Sequence, residues 1–197
     1  MSWGAKKKSE EGSLIECLRQ PLYTRFALLP EYNGREQELE AFAEPRGVMS
    51  STLKRLLTGR DTNLDQAGVL TGRRMAVEAI VLNITARSRA DYLCVYENLY
   101  MVFRIVDRDY LWITLQHIAP AYVSVLRNEV ISKMKPRLLA ASDFHLDPRC
   151  RRFVYRLTSP LTLGPYENFN MRVRCELNLR YPVEVYLALD GKQMRPS

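Results

Sequence analysis

The chain has 197 residues, 47% of them apolar, which is enough to bury the core of one ordinary domain and excludes wholesale disorder. Its formal net charge is +7, and residues 120–197 carry 13 Lys/Arg against 7 Asp/Glu, a net of +6 that leaves +1 for residues 1–119. A basic half of this kind suits polyanions (nucleic acid, nucleoprotein or an anionic leaflet) or is simply an inert basic surface.

Four cysteines, Cys17, Cys94, Cys150 and Cys175, stand far apart, without zinc spacing or the density of a disulfide scaffold, and favour a reducing compartment. The charged start "MSWGAKKKSEEG" has no apolar run behind it, and the longest apolar runs fall short of the roughly 20 residues a spanning helix needs. The expectation is a soluble intracellular chain.

In chain order, residues 1–34 mix charge, glycine and two prolines with weak periodicity, and read as a mobile basic arm carrying short motifs. "REQELEAFA" allows a short helix over 35–43, stopped before Pro45. "VMSSTLKRLLTG" places Val48, Leu53, Leu56 and Leu57 near helical spacing, with Gly59 as a natural stop. "RRMAVEAIVLNIT" is strand-like, with Ala76, Glu78, Ile80, Leu82 and Ile84 on one face and Met75, Val77, Val81, Asn83 and Thr85 on the other.

"ADYLCVYENLYMVFRIV" then predicts a long helix capped by Asp91, because Val95, Tyr96, Leu99, Tyr100, Phe103 and Val106 recur at helical spacing. "DYLWITLQHI" reads as a strand, and Pro120 opens a further helix. "RRFVYRLTSPLTL" and "NFNMRVRCELNLRY" read as a two-stranded hairpin turning at Gly164-Pro165. In its second strand Met171, Val173, Cys175, Leu177, Leu179 and Tyr181 point inward, with Arg172, Arg174, Glu176, Asn178 and Arg180 outward. The expected fold class is α+β, a small antiparallel sheet packed with helices behind a mobile N-terminal arm, in three parts: arm 1–34, compact domain 35–190 and C-terminal tail 191–197.

No constellation for catalysis stands out. His117 sits at a strand end, and His145, with Asp143, Asp147 and Cys150 nearby, lacks metal-ligand spacing. There is no nucleophile elbow, phosphate loop, dinucleotide fingerprint or zinc-protease motif, so no enzyme, cofactor or metal is expected. The positive signals are basic: Arg73 and Arg74; Lys133, Lys135 and Arg137; Arg149, Arg151 and Arg152; Arg172 and Arg174. Lys6, Lys7 and Lys8 beside Trp3 join a cationic run to an aromatic suited to a membrane interface. In "RFALLPEYNG" the residues Leu29, Pro30, Glu31 and Tyr32 make either a turn or a docking peptide.

A lysine-rich arm with a Pro-x-Tyr peptide, followed by "VLNITARSRADYLCVYENLYMVF", "RDYLWITLQHI" and the closing "FVYRLTSPLTL" and "NFNMRVRCELNLRY", resembles the matrix proteins of rhabdoviruses. The resemblance implies a non-enzymatic structural protein of the virion that self-associates, binds anionic membrane peripherally, condenses the viral nucleocapsid and takes part in budding. It places the protein in the virion, the host cytoplasm, the inner face of the host membrane and the nucleus.

It also casts Leu29-Pro30-Glu31-Tyr32 as a late-domain peptide for host WW-domain proteins, with Leu29 where that motif has its first proline. The competing reading is a viral nucleic-acid-binding accessory protein, such as a movement protein or silencing suppressor.

Overall fold

The structure is a computed structural model; it describes residues 6–8, 14–118 and 152–196, with side chains over 16–116 and 153–195. Ten strands and two helices are described: β1 (Lys6–Lys8), β2 (Leu14–Arg19), β3 (Leu22–Leu28), β4 (Glu36–Ala41), β5 (Arg74–Thr85), α1 (Arg89–Asn98), β6 (Leu99–Ile105), β7 (Arg108–Thr114), α2 (Leu115–Ile118), β8 (Arg152–Leu163), β9 (Phe169–Glu176) and β10 (Val183–Pro196). The strands form two antiparallel sheets, so the expected α+β class is corrected to a mostly β fold.

The long sheet runs β1-β2-β10-β5-β8, and β3 continues the line of β2 along the same edge of β10. Pro21 causes that break, because it has no N–H to give the ladder. Arg19 pairs with Lys192 before it, and Leu22 pairs with Leu189 after it. The short sheet runs β4-β9-β6-β7. One buried cluster draws Val183, Val185, Leu187 and Leu189 from the long sheet, Met171 and Val173 from the short one, and Tyr92, Val95 and Tyr96 from α1. Each of these strands turns alternate residues inward because its side chains project with period two.

β5 is the expected strand, but its faces change partway along. Glu78 is an extra residue: Ala79 pairs with Asp190, and Val77 with Gly191. This bulge reverses the alternation, so Met75 and Val77 join Ile80, Leu82 and Ile84 in the core instead of opposing them. The partner strand must come close here, and a Cβ on Gly191 would sit 2.0 Å from the Ala76 carbonyl oxygen. β8 bends at the same level, where four residues ending in Pro160 stand opposite Glu78.

Four further expectations are overturned. Residues 35–43 hold strand β4, not a helix: Gln37 and Ala41 turn inward while Glu38 and Glu40 stand opposite Arg174 and Arg172 of β9, so pairing outweighs helix propensity. Residues 47–57 form a hairpin bridged at Met49 and Leu56. The long helix ends at Asn98, and Leu99, Met101, Phe103 and Ile105 continue as the inward residues of β6. Aromatic and β-branched residues at these positions satisfy both periods, and a place between β7 and β9 decides for strand. β8 and β9 are both strands, but they belong to different sheets and are not a hairpin.

The expected arm and tail are corrected in part as well. Within 1–34, β3 lies in the core, with Leu22, Phe26 and Leu28 buried. Residues 191–196 complete β10, the central strand of the long sheet. α1 begins three residues earlier than predicted. Ser88 is its cap, accepting the Asp91 N–H at 3.1 Å, while Asp91 accepts back from the Ser88 hydroxyl at 2.6 Å and from the Arg180 N–H at 2.7 Å.

Candidate polyanion-binding surface

Of the surface residues singled out in the sequence, Trp3, Lys133, Lys135, Arg137, Arg149 and Arg151 lie outside the described residues. Lys6, Lys7 and Lys8 form β1, in register with Glu16, Ile15 and Leu14 of β2. Arg152 opens β8 opposite Asn83, and its side chain lies outside the described set. Arg73 is half-buried and Arg74 is exposed at the start of β5. These positions do not converge on one site.

Arg172 and Arg174 do sit together, on the outer face of the short sheet, but β4 neutralises them. Arg174 Nε lies 3.0 Å from Glu38 Oε2, and Arg172 Nε lies 3.7 Å from Glu38 and 3.9 Å from Glu40. Beside them Tyr100 stacks on Trp112, with ring centroids 6.3 Å apart and planes 9° from parallel. Arg104 pairs with Asp109 at 3.0 Å on the same face. The face is aromatic and charge-balanced, a poor match for a polyanion.

Leu29 to Tyr32 is held as a turn. Pro30–Tyr32 is a single 3-10 turn joining β3 to β4, with the Tyr32 N–H donating to the Leu29 carbonyl. Asn33 clamps it: its Nδ2 donates to the Leu179 carbonyl and its Oδ1 accepts the Leu179 N–H, both at 2.8 Å. A WW groove reads an extended polyproline II backbone, so docking would first require this turn to open.

The basic cluster that the fold does assemble was not singled out in the sequence. On the outer face of the long sheet, Arg25 of β3 lies over the Tyr186 ring, 5.7 Å from its centroid, and Tyr23 stacks on the same ring from the next position. The Arg25 Nε has no hydrogen-bond partner among the described residues. Residues 43–73 run along β3 and bring Arg55 and Arg60 to it. Asn63 fixes that approach, accepting the Tyr23 N–H at 2.9 Å and donating to the Pro21 carbonyl at 2.8 Å. Arg25, Arg55, Arg60, Thr58 and Gly59 thus line one open depression, with Asp61 at its floor.

Asp61 is 1% exposed and fully engaged. It takes two guanidinium hydrogen bonds from Arg55 at 2.6 Å, the Thr58 N–H at 3.0 Å and the Thr58 hydroxyl at 2.9 Å. The Arg55 hydrogen bonds, with those from Thr58, hold its carboxyl well below the usual carboxylate range despite its burial. With that carboxylate saturated, Arg25 and Arg60 leave the depression cationic and suited to a phosphate. The sequence signal was the alternation Tyr23, Thr24, Arg25, Phe26, which turns Tyr23 and Arg25 outward; nothing local links them to Arg55 or Arg60.

No family model matches the chain, and neither a curated protein nor a solved structure shows significant similarity to it. Among the described residues, no helix is long and apolar enough to cross a membrane.

Proposed function

We propose that this chain is a non-enzymatic structural protein of the viral matrix kind, which holds an anionic partner on one surface, self-associates and condenses a nucleocapsid at a membrane. The observation that carries the reading is the division of charge between the two sheets. Arginines on the short sheet are matched by Glu38 and Glu40, whereas around the Arg25–Arg55–Arg60 depression Asp61 is saturated by Arg55 and Thr58 and Glu184 of β10 adds one further negative charge near Arg55. The net charge of +7 points the same way.

The test is flotation of the full chain with phosphatidylserine vesicles at low and high salt, alongside light scattering for self-association. Binding that fades with salt, together with concentration-dependent assembly, supports the reading. Neither signal would sink it.

A second reading, a nucleic-acid-binding accessory protein, is favoured by the stacked Tyr23 and Tyr186 rings beside Arg25, since aromatic faces flanked by arginine take up single-stranded bases. Filter binding of RNA at moderate salt, without lipid, separates the two. Tight RNA binding with no flotation would replace the first reading by the second.

A further inference from the structure

The 47–57 hairpin carries an unusual combination of side chains. Its backbone is closed by Gly47 N–H to Leu57 O, Leu57 N–H to Val48 O and Ser50 N–H to Arg55 O, each 2.9 Å, and Lys54 takes a positive φ of 55° in its turn. One side faces the protein: Ser50, Thr52 and Leu57 are buried, and Thr52 Oγ1 accepts the Ala27 N–H of β3 at 3.1 Å. The other side presents Met49 and Leu56, paired across the bridge, to solvent at 60% and 58% exposure, while Val48, on the face of Ser50 and Leu57, is 42% exposed at the hairpin's edge. Two large apolar side chains paired outward on one anchored hairpin form a patch, unlike the single exposed residues common on any surface.

The surroundings are cationic. Around the hairpin stand four basic residues, Arg46, Lys54, Arg55 and Arg60, against Asp61 and Glu44, whose carboxylate accepts the Ser51 N–H at 2.9 Å. Arg46 pairs with Asp65 and Arg55 with Asp61, while Lys54 and Arg60 remain exposed. The strand of the hairpin that ends at Leu57 leads within three residues to Arg60 and the Arg25–Arg55–Arg60 depression.

We infer that the exposed Met49–Leu56 pair of the hairpin and the adjoining Lys54, Arg60 and Arg25 form a contact site for an anionic lipid bilayer, the apolar side chains entering the interfacial layer while the cations meet headgroup phosphates. The inference rests on the membrane-binding part of the proposed function and gives it a place distinct from Trp3 and the lysines of β1. Apolar groups flanked by cations match a bilayer, which offers hydrocarbon beneath a layer of negative charge. A second copy of the chain matches less well, since a self-complementary contact would set Lys54 and Arg60 against their own equivalents. The hairpin is anchored before contact, so little ordering entropy opposes insertion.

The experiment is flotation of the full chain with phosphatidylcholine vesicles and with vesicles containing phosphatidylserine, comparing wild type, Met49→Ser/Leu56→Ser and Lys54→Glu/Arg60→Glu. Both double variants alter exposed side chains and should melt with the wild type, which controls for folding. Wild type should float only with the anionic vesicles. Each variant should bind roughly tenfold more weakly, the first through lost apolar burial and the second through lost attraction.

If wild type floats and both variants float equally well, the site is wrong while membrane binding stands. If wild type fails to float with either vesicle, membrane binding itself fails. If the Ser variant lowers the oligomeric state in light scattering without lipid while leaving flotation intact, the patch joins copies of the chain and the lipid assignment is overturned.

Discussion

Arg55 and Asp61 are joined by two parallel hydrogen bonds, Nη1 to Oδ2 and Nη2 to Oδ1, both 2.6 Å, across a turn in which Thr58 also donates twice to the carboxylate. The carboxylate is buried while the guanidinium is about half exposed, so the pair fixes residues 55–61 against β3 and still leaves Arg55 at the surface.

Replacing Asp61 by Asn should therefore destabilise the fold by about 2 kcal/mol, the scale of hydrogen bonds to a buried charge, and lower the melting midpoint by roughly 4–8 °C. The pH dependence follows from the sign of the shift. Because the folded carboxyl titrates below its ordinary value of 3.8, the stabilisation is complete above that value and is lost as the pH falls from there towards the depressed folded value. Melting curves between pH 5 and pH 2 should show a steeper acid decline for wild type than for Asp61→Asn. Parallel declines would assign the acid sensitivity elsewhere.

Val106 occupies a position that suits a different residue. It lies in the two-residue turn between β6 and β7 with a positive φ of 54°, a region in which a β-branched side chain is crowded. Asn tolerates this backbone, and Val106 is more than half exposed, so little packing is lost. Val106→Asn should stabilise the protein by about 1 kcal/mol, raising the melting midpoint by a few degrees. A midpoint at or below that of wild type would contradict the account.

Burial pushes the Cys175 thiol up to about 12, with Cys94 and Glu36 adding to the effect. At pH 8 it should resist a thiol-specific disulfide reagent in the native protein and react once denaturant is added, whereas the half-buried Cys94 reacts in both. The folded chain keeps this proton between the ordinary value of 9.0 and about 12 while the unfolded chain loses it, so stability should fall as pH rises above 9.0. Mass spectrometry of the labelled peptides reads the first effect, and alkaline melting reads the second.

For the turn at Pro30–Tyr32, Asn33 should matter more than Tyr32. Asn33→Ala removes two hydrogen bonds to Leu179 and should cost about 2 kcal/mol, while Tyr32→Ala, at an exposed ring, should stay within roughly half of one. A free peptide covering residues 25–36 should bind a WW domain more tightly than the folded chain does, because the peptide needs no turn opened. Equal affinities would mean that the turn opens readily.

Strands with clean alternation were legible. β9 announced its inward set of Met171, Val173 and Cys175, all buried, because its outward neighbours are charged or amide side chains at every second position. β5 was legible as a strand but not in its faces, since the bulge at Glu78 follows from pairing with Gly191 across the sheet and leaves no trace in the local pattern. β4 was hidden by composition: a Glu-rich hexapeptide reads as helix until Arg172 and Arg174 stand opposite it. The Arg25–Arg55–Arg60 depression could not be read from spacing, because 35 residues separate its first and last arginine and contacts of Asn63, Thr52 and Gly59 with β3 bring them together.

By itself the sequence determined which segments could be strands, the cap of α1 within a few residues, and an excess of positive charge. Each of these is a local property, set by side-chain period, turn chemistry and composition. The tertiary structure decided that helix-spaced aromatics would be strand β6, that β8 and β9 would part into different sheets, and which arginines would be spent on glutamates. Those outcomes depend on partners far along the chain, where sheet pairing and burial outweigh the fraction of a kcal/mol per residue by which local propensity favours one state over another.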